Sequence, residues 1–541
     1  MKILLVRPKV ERNTHLLDRY FYNPLIGKSK FIVPPLSLAI IASLTPKENK
    51  VYIIDENIED IDLSLKPDLV GITITSITAV RGFKIADMFR SFGVPVVLGG
   101  LHVTLMPNES KKHADSIVIG EAEGVWPRLF QDFCSGKLKK VYRGERIRLE
   151  NLPMPRWDLL KNDRYMLATV IATRGCPHGC EFCVSSMHFG NKIRKMHVED
   201  FVSQIKYLKK WYNFFWIVDY NLFFDVDYAK KLLAALIPEK INYVCFGNAY
   251  IAEDDELLDI MSKSGCQEVS IGFETLNRKN LELIGKHRLN EINKYGKVIV
   301  NFHKHGIMAK PLFIMGFDHD YLNAFGRVEE FLTTHSILFT DIFVAAAYYG
   351  TPHYKRLKKE GRINTQYYKN SLYAFAQWDS KSLNTLDMIL NIMRLYQNLY
   401  SYDGFFRRVV KFTKKYGRSR FNPKEQRGFK PFFDKIRLSL YCIYTYKPSK
   451  AAFVLKLMWH PHSFYRKRVY LVPSVLSAIE WRQNFCYAFF YDVYMHWKSR
   501  KAFLEGGRKW QSFQSRELSD LKGYVDRVYR YYSEISKRKK N

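Results

Sequence analysis

Cysteine is scarce. Eight thiols are spread over 541 residues, too few for a chain held together by disulfide bridges. They are expected to be reduced, as in a cytosolic protein. Long hydrophobic runs are also missing. No uninterrupted apolar stretch reaches the ~18 residues of a membrane-spanning helix, so an ordinary transmembrane helix is excluded. The apolar part of Met1–Pro8 is only four residues long and reads as a first β-strand, not a secretion signal. No repeat with a solenoid period is present. Acidic residues are in deficit, with 53 Asp and Glu against 85 Lys and Arg, a net charge of +32. What is present in quantity is apolar surface: 47% of the residues are hydrophobic, enough to exclude wholesale disorder.

The positive charge is uneven. Residues 401–541 hold 32 basic and 10 acidic residues, together with 32 of the 82 Phe, Tyr and Trp residues. Segment 488–497 is dense in aromatics at helical spacing, and 524–532 places aromatics beside Arg527 and Arg530. A helical cap with a solvated charged face would account for the aromatics but less well for the charge. A basic amphipathic surface rich in Tyr and Trp suits an anionic membrane interface. It would also suit nucleic acid, but no RNA-binding module motif is visible. The membrane surface is the favoured partner of this region. The terminal Lys537-Arg538-Lys539-Lys540 reads as an electrostatic, disordered end.

Along the first 140 residues, short apolar runs alternate with amphipathic stretches. Met1–Val6, Val51–Ile54, Leu69–Thr75, Val94–Leu98 and Ser116–Ile119 read as strands, Leu36–Leu44 and Val80–Ser91 as helices. Glycine or polar residues follow the strands. This α/β alternation predicts a doubly wound parallel sheet with a ligand crevice at the strand C-termini. A Pro-rich linker is expected over 141–164. A second β-α series spans 165–360, with strands at Met166–Ala172, Phe214–Val218, Tyr243–Phe246, Glu268–Ile271, Ala309–Ile314 and Asp341–Ala346. Such a series predicts a full or partial β/α barrel, with its chemistry at the C-terminal strand ends. Residues 361–541 read as a mostly helical, basic and aromatic domain.

Just after the first strand of the second series stands Thr173-Arg174-Gly175-Cys176-Pro177-His178-Gly179-Cys180-Glu181-Phe182-Cys183. Three thiolates on one short loop can converge on a metal centre, and thiolates suit iron–sulfur clusters or zinc. A four-iron cluster held by three cysteines keeps one iron open. The alternative is a structural zinc site with His178 or His188 as fourth ligand. Such sites pair C-x2-C with a second ligand pair, and none lies close by. Cys134, Cys245, Cys266, Cys442 and Cys486 stand isolated in the sequence and read as inert.

The C-x3-C-x2-C spacing, with the aromatic Phe182 before the last cysteine, resembles the radical S-adenosylmethionine (SAM) enzymes. The likeness extends through Val218-Asp219-Tyr220-Asn221-Leu222-Phe223, Gly272-Phe273-Glu274-Thr275, Phe313-Ile314-Met315-Gly316-Phe317-Asp318, and Gly350-Thr351-Pro352-His353-Tyr354 with Glu360-Gly361-Arg362. The resemblance implies that Cys176, Cys180 and Cys183 ligate a [4Fe–4S] cluster, and that SAM chelates the open iron. It implies SAM contacts from Phe182, Asp219, Asn221 and Glu274. Reductive cleavage of SAM would yield methionine and a 5′-deoxyadenosyl radical. The radical takes hydrogen from an unactivated carbon. Tyr348 and Tyr349 are nearby candidates for radical quenching or acid–base work, indistinguishable in sequence from packing tyrosines.

Pro34-Pro35-Leu36-Ser37-Leu38-Ala39, Asp55-Glu56, Gly99-Gly100-Leu101-His102-Val103-Thr104 and Gly120-Glu121-Ala122-Glu123 are similar to the Rossmann-like cobalamin-binding domain fused to many radical SAM enzymes. That likeness implies cobalamin contacts from Thr75, Ser76, Gly99, Gly100, His102, Thr104, Gly120 and Glu121, with further hydroxyls on Thr73 and Thr78. The D-x-H-x-x-G motif that supplies an axial histidine elsewhere is absent. His102 reads as a hydrogen-bonding residue before a cobalt ligand. Only Cys134 lies in this domain, which argues against the second cluster of tRNA methylthiotransferases.

Together these features identify the chain as a member of the cobalamin-dependent radical SAM methyltransferase family. Its Phe317-Asp318-His319-Asp320 segment resembles members acting on lipids such as hopanoids. The resemblance implies C-methylation of a hydrophobic or lipid-like substrate, with reduced flavodoxin or ferredoxin as electron donor. It places the chain in the cytoplasm, peripheral to the inner membrane surface. Two other readings stay open in sequence. One is a cobalamin-independent radical SAM oxidoreductase, cyclase or lyase with a vestigial first domain. The other is a zinc-stabilised nucleic-acid-binding protein.

Overall fold

The structure, a computed structural model, describes residues 1–9, 22–23, 28–29, 31–363, 378, 380–383, 385–416, 448–459 and 479. Segments 488–497, 524–532 and 537–540, with Cys442 and Cys486, lie outside the described residues.

The first sheet comprises β1 (Lys2–Arg7), β2 (Lys50–Asp55), β3 (Leu69–Thr73), β4 (Val96–Gly99), β5 (Ser116–Ile119) and β6 (Val141–Arg143). Its order is β2-β1-β3-β4-β5-β6, and every pairing is parallel. Parallel strands are covered on both faces, which is why they read as continuous apolar runs. Alternate residues serve opposite faces. Ile3 and Leu5 pack with helices Leu36–Leu44 and Trp126–Cys134. Leu4 and Val6 pack with Phe83, Ala86 and Phe89 of helix Ala79–Ser91. The strand order reverses between β1 and β3, and such a switch point opens a ligand crevice at the strand C-termini.

The sixth strand falls inside the stretch expected as linker. Three residues, Val141–Arg143, are too few to show a period. Part of that stretch, and the residue that follows it, are packed as well. Trp157 and Tyr165 are almost wholly buried, and the Tyr165 hydroxyl donates to Asp55 at 2.9 Å.

The second sheet comprises β7 (Ala168–Val170), β8 (Phe214–Ile217), β9 (Asn242–Gly247), β10 (Cys266–Glu274), β11 (Met308–Met315) and β12 (Asp341–Val344). Order follows sequence from β7 to β12, all parallel, and the two end strands do not pair. The barrel is therefore partial. Asp225 and Asp254 cap the helices that follow β8 and β9 by accepting from Tyr228 N–H and Leu257 N–H.

Helices Thr385–Tyr400, Tyr402–Tyr416 and Pro448–Trp459 belong to the C-terminal region. The first explains part of its aromatic content. An open sheet needs its edge covered, and two tyrosines one helical turn apart cover β12. Ile342 N–H donates to the Tyr396 hydroxyl at 2.8 Å, and Thr340 N–H donates to the Tyr400 hydroxyl at 3.0 Å. The hydroxyls donate back to the carbonyls of Ile342 and Thr340. Each lost hydroxyl strands a buried backbone group, at about 1–3 kcal/mol. The double variant Tyr396→Phe/Tyr400→Phe is expected to lower the urea midpoint by more than either single change. An unmoved midpoint would show that water replaces the hydroxyls. Among the described residues no helix is long and apolar enough to cross a membrane.

Candidate functional site

The cysteine loop hangs between two short strands, Thr173–Arg174 and Arg194–Lys195, which pair antiparallel. It emerges at the C-terminal side of β7, where a β/α barrel carries its chemistry. Gly175 takes φ +104°, and a Cβ there would lie 2.1 Å from the Lys192 carbonyl oxygen. Only glycine lets the two stems close so near the first thiol. Cys176 N–H donates to Gly190 O, and Cys183 N–H to Cys180 O, each at 3.0 Å.

Cys176, Cys180 and Cys183 are all half-buried and unbonded to one another. Burial pushes the Cys180 thiol up to about 11. Two sulfurs receive donors: Asn221 Nδ2 to Cys176 Sγ at 3.7 Å, and Ser185 N–H to Cys183 Sγ at 3.5 Å. Asn248 orients that amide by donating to Asn221 Oδ1 at 2.7 Å. Donors on thiolate sulfur are what tune an iron–sulfur cluster. Three half-buried thiols on one loop are soft ligands of the kind that suit an iron–sulfur cluster.

Asp219 stands just past β8 and meets the stem of the cysteine loop. Its carboxylate accepts from Ala172 N–H at 3.1 and 3.0 Å and from Thr173 N–H. The side chain is wholly buried, and burial pushes its pKa up to about 6 against those donors. Asp219 thus anchors the stem of the cysteine loop.

Glu274 lies at the end of β10 with φ +65°, rare for a non-glycine residue. Its carboxylate pairs with Lys286, which also donates to Gly272 O at 2.8 Å. Burial opposes the Lys286 ammonium, but Glu274 and the Cys180 sulfur outweigh it and raise its pKa. Lys286 was not singled out from the sequence, where it is one lysine among many. Its signal was the Gly285-Lys286 step closing helix Arg278–Leu283. Phe182 packs near Phe317, ring centroids 6.4 Å apart. Tyr348 and Tyr349 are partly exposed in the loop after β12.

In the first domain the candidate residues separate into two groups. Thr75 and Ser76 are exposed beyond β3, and Gly99 ends β4, where a Cβ would meet nothing nearer than Val118 Cβ at 4.0 Å. The others are engaged internally. Gly100, at φ +100°, lets its turn approach Ile74 O, which a Cβ would meet at 2.6 Å. Thr104 Oγ1 accepts from Gly120 N–H at 3.0 Å. The His102 ring faces Ser76 Oγ and Glu109 Oε2, each at 3.5 Å. Glu121 is buried and ion-paired with Arg174 and Arg194 of the second domain. Exposed hydroxyls and a glycine at the switch-point strand ends are the features of this face that fit a corrinoid and its tail.

The two cysteines Cys245 and Cys266 are less isolated than the sequence suggested. Both are buried on adjacent strands, and the Cys266 side chain together with burial pushes the Cys245 thiol up, so Cys245 stays a thiol.

Comparison with known families agrees with this architecture. Residues 170–332 match the radical SAM superfamily, residues 22–130 the B12 binding domain, and residues 351–486 a domain of unknown function. The chain is 27% identical over 422 residues to bacteriochlorophyllide d C-12(1)-methyltransferase of Chlorobaculum tepidum, covering 75% of this chain and 89% of that one. It is 24% identical over 377 residues to hopanoid C-2 methylase of Rhodopseudomonas palustris, covering 67% and 71%. The first likeness is the longer and higher of the two, so the lipid-type enzyme is not the nearer relative. The solved structure of the cobalamin-dependent S-adenosylmethionine radical enzyme OxsB shares the fold at TM-score 0.58 and 15% identity, covering 97% of this chain and 83% of that one. The chain is a radical SAM enzyme with a B12-binding domain ahead of its core, homologous to the cobalamin-dependent radical SAM methyltransferases.

Proposed function

We propose that the protein methylates an unactivated carbon of an apolar, lipid-like substrate, using SAM and a corrinoid. The observation that carries the substrate class is the set of exposed apolar side chains in the loops around the cysteines. Met187, Tyr220, Phe224, Tyr348 and Tyr349 are each between 37% and 49% exposed, and large apolar groups left in a site mark a binding surface. Phe189 extends the set, its ring 5.2 Å from Tyr220. The methylating relatives named above are a bacteriochlorophyllide d methyltransferase and a hopanoid methylase.

Cys176, Cys180 and Cys183 would hold the [4Fe–4S] cluster. Asn221 and the Ser185 N–H would donate to its thiolates, and Lys286 would offset their charge. Phe182 and the Glu274 region would meet SAM, and Thr75, Ser76 and Gly99 would meet the corrinoid. Bound together, these groups supply a one-electron cleavage of SAM and a methyl donor. Reduced flavodoxin or ferredoxin would bring the electron. The basic residues of 401–541 would bring the enzyme to an anionic membrane where such a substrate resides.

The test is anaerobic reconstitution with iron, sulfide and hydroxocobalamin, then SAM and dithionite, with 5′-deoxyadenosine and S-adenosylhomocysteine measured by mass spectrometry. One corrinoid per chain and S-adenosylhomocysteine that requires it are expected. Deoxyadenosine from a protein that retains no corrinoid would replace the reading with a cobalamin-independent oxidoreductase or lyase.

A further inference from the structure

Four charged side chains join the two domains beside the cysteine loop. Glu121 and Glu123 stand on the turn that leaves β5, at the strand end that faces the B12 side of the first domain. Arg174 and Arg194 face each other across the two stems of the cysteine loop. Glu121 meets Arg174 Nη1 at 3.1 Å and both terminal nitrogens of Arg194, one of them at 2.9 Å. Glu123 meets Arg174 Nη2 at 2.6 Å. Arg194 also donates to Ile147 O at 2.7 Å and Phe189 O at 3.0 Å. Arg174 lies 5.8 Å over the Phe189 ring, which belongs to the apolar rim.

Two arginines against two glutamates leave no net charge. Such a buried network adds little stability, because desolvation offsets the attraction. What it does fix is geometry, since a guanidinium holds a carboxylate in one plane through paired bonds. Both stems of the loop are gripped from the same turn of the other domain.

We propose that Glu121 and Arg194, supported by Glu123 and Arg174, act as positioning residues that hold the cysteine loop in place against the B12 face of the first domain. Resting on the function proposed above, the clamp keeps radical generation and methyl supply in register at one substrate carbon. None of the four residues is required to touch the reacting atoms.

The test uses the full chain with Arg194→Gln, Glu121→Gln, both together, and Arg194→Lys, which keeps the charge but not the fork. In the protein before reconstitution, amide exchange over 173–195 is expected to accelerate by about tenfold or more in Arg194→Gln. The double variant is expected to exchange no faster than the worse single one, the signature of partners in one interaction. After reconstitution, iron and corrinoid per chain are expected to stay within about twofold of wild type. S-adenosylhomocysteine per deoxyadenosine is expected to fall about tenfold, with partial recovery in Arg194→Lys.

Unchanged exchange, additive single effects, or an unchanged product ratio would overturn the clamp. Should Arg194→Gln fail to fold, Arg194→Lys carries the same measurements. If wild type itself forms no corrinoid-dependent S-adenosylhomocysteine, the methyltransfer reading fails. Exchange and the double variant then decide the clamp alone.

Discussion

Replacing Cys180 by alanine is expected to abolish deoxyadenosine formation, by more than about 100-fold. Changes in groups that merely support a metal ligand already cost 10–100-fold, and this one removes a ligand itself. Iron retained per chain should fall with it. The fold should survive, because Cys180 is half-buried on a loop and outside the hydrophobic core. Circular dichroism and the urea midpoint should stay near wild type. Cys134→Ala is the control: its thiol is exposed at the end of helix Trp126–Cys134, and no loss is expected. A Cys180→Ala protein that still cleaves SAM would remove the cysteine loop from the chemistry altogether.

Asp219→Asn is expected to damage the site through the stem of the cysteine loop. The carboxylate fastens Ala172 and Thr173. An amide can accept with only one of its two ends. The loop stem is then held at fewer points, and deoxyadenosine formation should fall about tenfold. Stability should respond with the opposite sign at neutral pH. Burial lifts the folded-state pKa to about 6 from the ordinary value of 3.8. A raised acid pKa means the folded state binds the proton more tightly. Its contribution is fully present below about pH 4 and is lost as pH rises through about 6. The shift corresponds to about 3 kcal/mol. An asparagine does not ionise, so the variant should gain on wild type by roughly that amount between pH 4 and pH 7.5. Urea midpoints at the two pH values measure it. If the gap between the proteins is the same at both, the carboxylate is not carrying a displaced proton equilibrium.

The two effects separate what Asp219 does for stability from what it does for the site. A group that destabilises the folded chain when charged, yet holds the loop that carries the ligands, belongs to function more than to folding.

How much of this was legible in the sequence depends on the distance over which each feature acts. The parallel strands were readable because each is buried on both faces, so Ile3-Leu4-Leu5-Val6 and Ile314 with its neighbours appear as apolar runs. The cysteine loop was readable because its three thiols lie within eight residues and follow a strand. Both are local patterns. Val141–Arg143 gave no pattern, since three residues at a sheet edge need no alternation. Lys286 was hidden because its partner lies twelve residues away, across a strand end and a helix.

The composition, the cysteine spacing and the strand pattern by themselves determined a two-part α/β protein with thiolate chemistry at a strand end. The tertiary structure alone decided which carboxylates serve which purpose. Asp219 and Glu121 look alike in sequence, each following an apolar strand. Asp219 meets backbone N–H groups forty-six and forty-seven positions earlier in the chain, while Glu121 meets two guanidinium groups of the other domain. The reason is physical: a charge is assigned its role by whatever folding brings within ~4 Å of it, and no spacing along the chain records that.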